Sequence, residues 1–285
     1  MFKNIIVGFD DSEYSKAALV EVSNWVRRHG GKITLVHAVY FDEEEFATIP
    51  EQLEKRFEVG KKVCYQAKER FSAEFGVEID SLICEGEAPK VILDVARDKG
   101  ADLIAMGTYG RKGIKRLIMG SVTSGVIIDS PCDVLVVKRP CSECTGEYRS
   151  ILVPFDGSDN SKTALGRAFP LSKIDSASVT VLYVIPRYEE MVEFFRTVSI
   201  QKRLLEEAKR ITDVAEKIAS ESSILVKTIV EEGHSGEKIV ETARRLKSDL
   251  IIMGSHGWRG IDKAIIGSTA ESVISNASVP VLVVR

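Results

Sequence analysis

At 285 residues the chain has room for one large domain or two of ordinary size, and either can bury a substantial core. Its 44% hydrophobic and 28% charged residues are an ordinary globular composition and exclude a disordered or fibrous chain. A formal net charge of −3 excludes a global basic field for nucleic acid or an anionic membrane, and no apolar run is long enough to span a bilayer.

In chain order, residues 5–9 read as a first strand ending at Asp10-Asp11-Ser12. Ala17, Ala18, Leu19, Val22, Trp25 and Val26 then fall on one helical face that stops at His29-Gly30-Gly31. Either Asp10 or Ser12 is the cap of this helix. A carboxylate at the carboxyl end of a first strand also faces the crevice where doubly wound sheets take ligands, and the two roles are compatible. Residues 33–39 are nearly continuous in apolar side chains, as in a strand covered on both faces, with His37 read as a packed residue. The acidic segment 42–45 leads to a helix with Leu53, Phe57, Val63, Ala67 and Phe71 on its apolar side. Residues 77–84 predict a third strand, and Gly86-Glu87-Ala88-Pro89 opens a helix with proline at its start.

Residues 102–106 predict the fourth strand, followed by Met106-Gly107-Thr108-Tyr109-Gly110-Arg111 and, with nine residues intervening after Gly110, by Gly120-Ser121-Val122 at the head of another helix. Glycines there let backbone approach a ligand without a Cβ in the way, and the open helix start favours an anion, of which phosphate is the natural example. Arg111, Lys112, Lys115 and Arg116 cluster beside this loop and read mostly as a solvated face. After a break at Ser130-Pro131, residues 133–137 make a fifth strand. Strand and helix alternate throughout, which predicts a parallel sheet with right-handed crossovers.

The order then repeats. Ile151-Leu152-Val153-Pro154-Phe155-Asp156-Gly157-Ser158 matches the first strand and its loop 146 residues on, and Met253-Gly254-Ser255-His256-Gly257 with Gly267-Ser268-Thr269 matches the glycine loop at 147. Residues 279–284 supply another fifth strand. Whole-domain duplication explains this, with domains at 1–139 and 149–285 and a polar, Pro- and Gly-punctuated linker at 140–148. Cys141 and Cys144 form a lone C-x-x-C without a second pair, too few ligands for a metal, and the five cysteines read as reduced thiols.

A strand ending in Met, then G-x-x-G, nine residues and G-[S/T], given twice, resembles the nucleotide-binding signature of the universal stress protein family. The resemblance implies two tandem doubly wound α/β domains, each a five-stranded parallel sheet flanked by helices, of the adenine nucleotide alpha hydrolase-like type. It implies an adenine nucleotide (ATP or AMP, with Mg²⁺ as companion) held across the first and fourth strands. Gly8, Phe9, Asp10, Pro154, Phe155 and Asp156 would meet the adenosine, and Ala38 and Val184 the adenine. Met106, Gly107, Gly110, Arg111, Met253, Gly254 and Gly257 would line ribose and phosphates, and Gly120, Ser121, Val122, Gly267, Ser268 and Thr269 would hold phosphate oxygens. Asp11 where the second copy has Gly157, and Tyr109 where it has His256, imply unequal sites.

The expected function is a cytoplasmic, nucleotide-binding sensor or regulator of the stress response, without catalytic residues and with at most weak ATPase activity. A slow ATP hydrolase or nucleotidyl-transfer enzyme of the same fold, and a structural dimerisation module with relic sites, are the alternatives. The resemblance further implies a pseudo-dimer of the two domains through their fifth strands, and a homodimer as a further step. No nucleic acid or membrane partner is expected.

Overall fold

The computed structural model describes residues 1–40, 50–108, 119–138, 146–186, 198–257 and 265–285. The chain divides into two compact units, Met1–Glu147 and Tyr148–Arg285. In the first, strands β1 (Asn4–Gly8), β2 (Lys32–Val39), β3 (Ile79–Glu85), β4 (Leu103–Gly107) and β5 (Asp133–Val137) alternate with helices α1 (Glu13–His29), α2 (Pro50–Phe75), α3 (Ala88–Asp98) and α4 (Ser121–Asp129). All the strands are parallel, in the order β3-β2-β1-β4-β5. Ordering by sequence alone would put β3 between β2 and β4. The chain instead runs outward from β1 and then crosses back, so the sheet reverses direction between β1 and β4.

The second unit repeats this with β6 (Ser150–Pro154), β7 (Ser178–Pro186), β8 (Val226–Gly233), β9 (Leu250–Gly254) and β10 (Val281–Val284). Its helices are α5 (Asp159–Asp175), α6 (Val198–Glu221), α7 (Ser235–Arg245) and α8 (Ser268–Asn276), and its strand order is β8-β7-β6-β9-β10. The fifth strand begins at Val281 rather than at 279, because Pro280 has no N–H for the ladder; its carbonyl accepts from Ile251 instead. The acidic segment 42–45 and most of the expected linker lie outside the described residues.

Two helices cover each face of each sheet. α1 packs on β4 and β5 and α2 on β2 and β3, while α3 lies over β1 and β2 on the other side and touches α4. This double cover explains the apolar runs: Ile5, Ile6, Val7, Leu35 and Ile104, and likewise Ile151, Leu152, Val181 and Ile252, have no measurable exposure because each strand is buried on both faces. No described helix is long and apolar enough to cross a membrane.

A carboxylate at the head of the fourth strand pins the head of the first in both units. Asp102 accepts the backbone N–H of Lys3 at 2.8 Å and of Asn4 at 3.1 Å. Asp249 accepts those of Arg149 at 2.7 Å and Ser150 at 3.1 Å. Burial pushes the Asp249 carboxyl above its ordinary range, outweighing the backbone N–H groups that favour its ionised form. A carboxyl raised in the folded state binds its proton more tightly there than in the unfolded chain. The proton-linked part of its contribution is therefore full below the unfolded value and is lost as pH rises through the folded one, while the N–H bonds it accepts persist. Asp249→Asn should remove that slope just above the usual aspartate range. It should also cost about 1–3 kcal/mol at neutral pH, because an amide can accept only with its single oxygen. Urea unfolding of both forms across pH measures the two effects together.

Candidate functional site

The reversal between β1 and β4, and between β6 and β9, opens a crevice at the carboxyl ends of these strands. Both first strands end in the same turn. Asp10 accepts the N–H of Ser12 at 3.1 Å, and Asp156 accepts the N–H of Ser158 at 3.0 Å and its hydroxyl at 2.6 Å. Ser12 and Ser158 in turn cap α1 and α5 through the N–H groups of Ser15 and Ser161. The serine is thus the cap, and the aspartate stands two residues earlier, holding the loop. Between them Asp11 and Gly157 share a positive φ, 65° and 84°. The Asp11 side chain pairs with Lys16 at 2.8 Å on the exposed side of α1, so its charge is answered by an ammonium on its own helix. Phe9 and Phe155 are buried, and the Phe9 carbonyl is met by His37 Nδ1 at 2.7 Å, which makes His37 the packed residue expected of it.

At the glycines ending β4 and β9 the place a side chain would take is filled by the protein itself. A Cβ on Gly107 would lie 2.6 Å from the backbone carbon of Tyr14, and one on Gly254 would lie 2.6 Å from Asn160 Cβ. The missing side chain is filled by the first turn of α1 or α5. Gly8 likewise makes room for the Met106 sulfur, 2.5 Å from where its Cβ would be, and Met106 and Met253 are themselves buried. Gly257 is different, because a Cβ there would sit 2.5 Å from Asp156 Oδ2, so the second glycine of the loop lies against the aspartate of the first strand. Gly110 and Arg111 lie outside the described residues, as do Tyr109, Lys112, Lys115, Arg116 and Trp258.

In both units the loop closes on itself. Gly120 N–H donates to Thr108 O and Gly267 N–H to Ser255 O, each at 3.0 Å. Residues 108 and 120, and likewise 255 and 267, which bracket the nine-residue spacing, are therefore one hydrogen bond apart. The second loop has additional ties: the His256 ring meets Ser255 Oγ at 2.9 Å and the Ile265 carbonyl, while Asn160 donates to the His256 carbonyl at 3.1 Å. His256 is half-exposed and is held in place by these bonds. In the first unit Thr123 takes a comparable part, its hydroxyl donating to Gly107 O at 2.7 Å. The glycine donors belong to the motif, whereas the Thr123, Asn160 and His256 ties do not and differ between the two copies.

Beyond the loop, Gly120 and Gly267 are the N-caps of α4 and α8, and neither helix start has a side-chain cap. Their leading N–H groups and the positive end of each dipole are suited to an anion. In the second unit Ser268 and Thr269 line a pocket of about 250 Å³, together with Pro186 at the end of β7, His234 and Ser235 at the start of α7, and Ser272. Ala38 and Val184 stand near the ends of β2 and β7, one strand removed from β4 and β9. Ala38 is paired with Cys84, whose thiol is pushed up by burial and stays neutral. Among the described residues no group of three or more His, Cys, Asp or Glu side chains gathers to hold a metal ion.

A model of the universal stress protein family matches residues 1–138 and again 147–285. The chain is 35% identical over 144 residues to universal stress protein MJ0531 of Methanocaldococcus jannaschii, a match covering 48% of this chain and 82% of that one. Over 298 residues it is 24% identical to a Mycolicibacterium smegmatis universal stress protein, covering 99% and 96% of the two. The crystal structure of a universal stress protein from Archaeoglobus fulgidus superposes with a TM-score of 0.75 at 22% identity, covering 99% of this chain and 96% of that one, and shares the fold.

Gly107→Ala and Gly254→Ala should each destabilise the protein by about 1–3 kcal/mol, because the added carbon meets helix atoms that cannot move without shifting the helix. Chemical denaturation in nucleotide-free buffer checks this, since a glycine needed only for a ligand would leave the midpoint unchanged.

Proposed function

We propose a function for a chain that belongs, in both of its halves, to the universal stress protein family: it binds an adenine nucleotide in each half and acts as a stress-response sensor or regulator. What supports this is a pair of features built twice, an aspartate turn ending the first strand and a glycine loop whose flanks meet in one hydrogen bond at a helix start that no side chain caps.

The chemistry assigned to each residue follows from its place. A ribose offers hydroxyl donors, which the Asp10 and Asp156 carboxylates are suited to accept. Phosphate oxygens need donors without steric bulk, and the leading N–H groups of α4 and α8 supply them, joined by the Ser121, Ser268 and Thr269 hydroxyls. Arg111 adds a positive charge to the first site. Adenine takes the apolar ground near Ala38 and Val184. Mg²⁺ would arrive on the phosphates and neutralise part of their charge. Occupancy changes the charge and surface presented at the helix start, and that change is the signal passed to a partner.

The decisive experiment is to denature the purified protein, identify any released nucleotide by chromatography and count moles per chain. Close to two adenine nucleotides per chain is the expected result, with Asp156→Ala losing about tenfold in affinity, or ~1.4 kcal/mol, at one of them. No release together with no binding of added ATP would leave the loops as relics of a structural module. Turnover of Mg-ATP on the order of ten per second would make the protein an enzyme instead.

A further inference from the structure

The two units differ in charge where their backbones agree. Glu87 and His234 are the N-cap residues of α3 and α7, both follow a glycine at positive φ (133° and 149°), and their own φ/ψ are −66°/128° and −76°/119°. They are the same position in the fold with opposite tendencies toward an anion. Two further exchanges accompany them. Lys238 lies over Gly233, its Cε 2.9 Å from where a Cβ would be, and in the first unit Val91 lies over Gly86. Where α3 crosses α4, Pro89 packs on Gly125; where α7 crosses α8, Gly236 packs on Ser272. The small residue has changed helices, which keeps the packing and changes the chemistry. The second unit gains the Ser272 hydroxyl and, at the start of α7, a backbone N–H that proline lacks.

The His234, Gly236 and Ser272 changes meet in the pocket. His234, Ser235, Ser268, Thr269 and Ser272 line it, and all of them can hydrogen-bond an oxyanion. At the matching places the first unit has Glu87, Ala88, Ser121, Val122 and Gly125, which keep one hydroxyl and introduce a carboxylate. Glu237 and Glu271, in the first turns of α7 and α8 where the first unit has Lys90 and Ser124, lie outside the lining.

We infer that the pocket of the second unit receives the polyphosphate end of its nucleotide, making this half the di- or triphosphate site, whereas the first half selects a nucleotide that ends at its α-phosphate. His234 is the specificity-determining residue, and Thr269 and Ser272 support it. This rests on the nucleotide-binding proposal above and goes beyond it by giving the two halves different ligands of one class.

Photo-crosslinking of the full chain with 8-azido-AMP and 8-azido-ATP, followed by peptide mapping, reads each half separately. The ATP probe should label the second half at a concentration about tenfold lower than the first, while the AMP probe labels the two within about threefold. His234→Glu should cost the second half about tenfold for the ATP probe and leave the AMP probe within about threefold. The double variant Thr269→Val, Ser272→Gly, which adds no charge, should act in the same direction. Equal half-saturation of both halves by the ATP probe, or an unchanged ATP profile in both folded variants, would overturn the assignment while leaving nucleotide binding intact. No saturable labelling by either probe would bring down the nucleotide proposal and this one together.

Discussion

Each unit depends on one close approach, that of a helix start to the last residue of a strand distant from it in sequence. The first turn of α1 occupies the volume a side chain on Gly107 would need, and the first turn of α5 does the same at Gly254. Because the contact is with backbone and Cβ atoms, it sets the helix position to within a few tenths of an ångström. That position in turn places the serine cap, the aspartate turn before it and the start of the glycine loop. A bulkier residue at the strand end would lift the helix and take those elements with it.

On this shared frame the two units use different fastenings. The first ties its fourth-strand end to α4 through the Thr123 hydroxyl, and the second has Ala270 there and fastens its loop through His256 and Asn160. The frame tolerates such exchanges because the ties lie at its rim, where one hydrogen bond of about 1 kcal/mol can replace another. The strands beneath allow no such freedom, being covered on both faces by helices.

Much of the fold was legible in the sequence because burial on two faces leaves long apolar runs, and because the strand, loop and helix order is given twice at nearly constant offset. The fifth strand of the second unit was drawn two residues too long, since hydropathy does not register that Pro280 cannot donate a hydrogen bond. The glycine loop was legible as a unit but not in its parts. A glycine that admits a ligand and one that admits a helix look alike in sequence, and only the coordinates show what fills the space at Gly107. The Asp102 and Asp249 clamps were overlooked although both stand directly before a fourth strand, because an aspartate at a strand head is also an ordinary loop residue. The Pro89–Gly125 and Gly236–Ser272 exchange could not be seen without knowing which helices cross.

Those aspartate clamps also bear on how the chain reaches its fold. Asp102 joins Lys3 across 99 residues, and Asp249 joins Arg149 across 100. The central strand of each sheet is laid down first and secured late, so each unit has a high contact order and its loops must close before its best contacts form. During synthesis β1 stays without its clamp until residue 102 has emerged, and β6 waits in the same way for residue 249. The two units meet this condition in succession, and the first can finish folding before the second has the residues to begin its own closure.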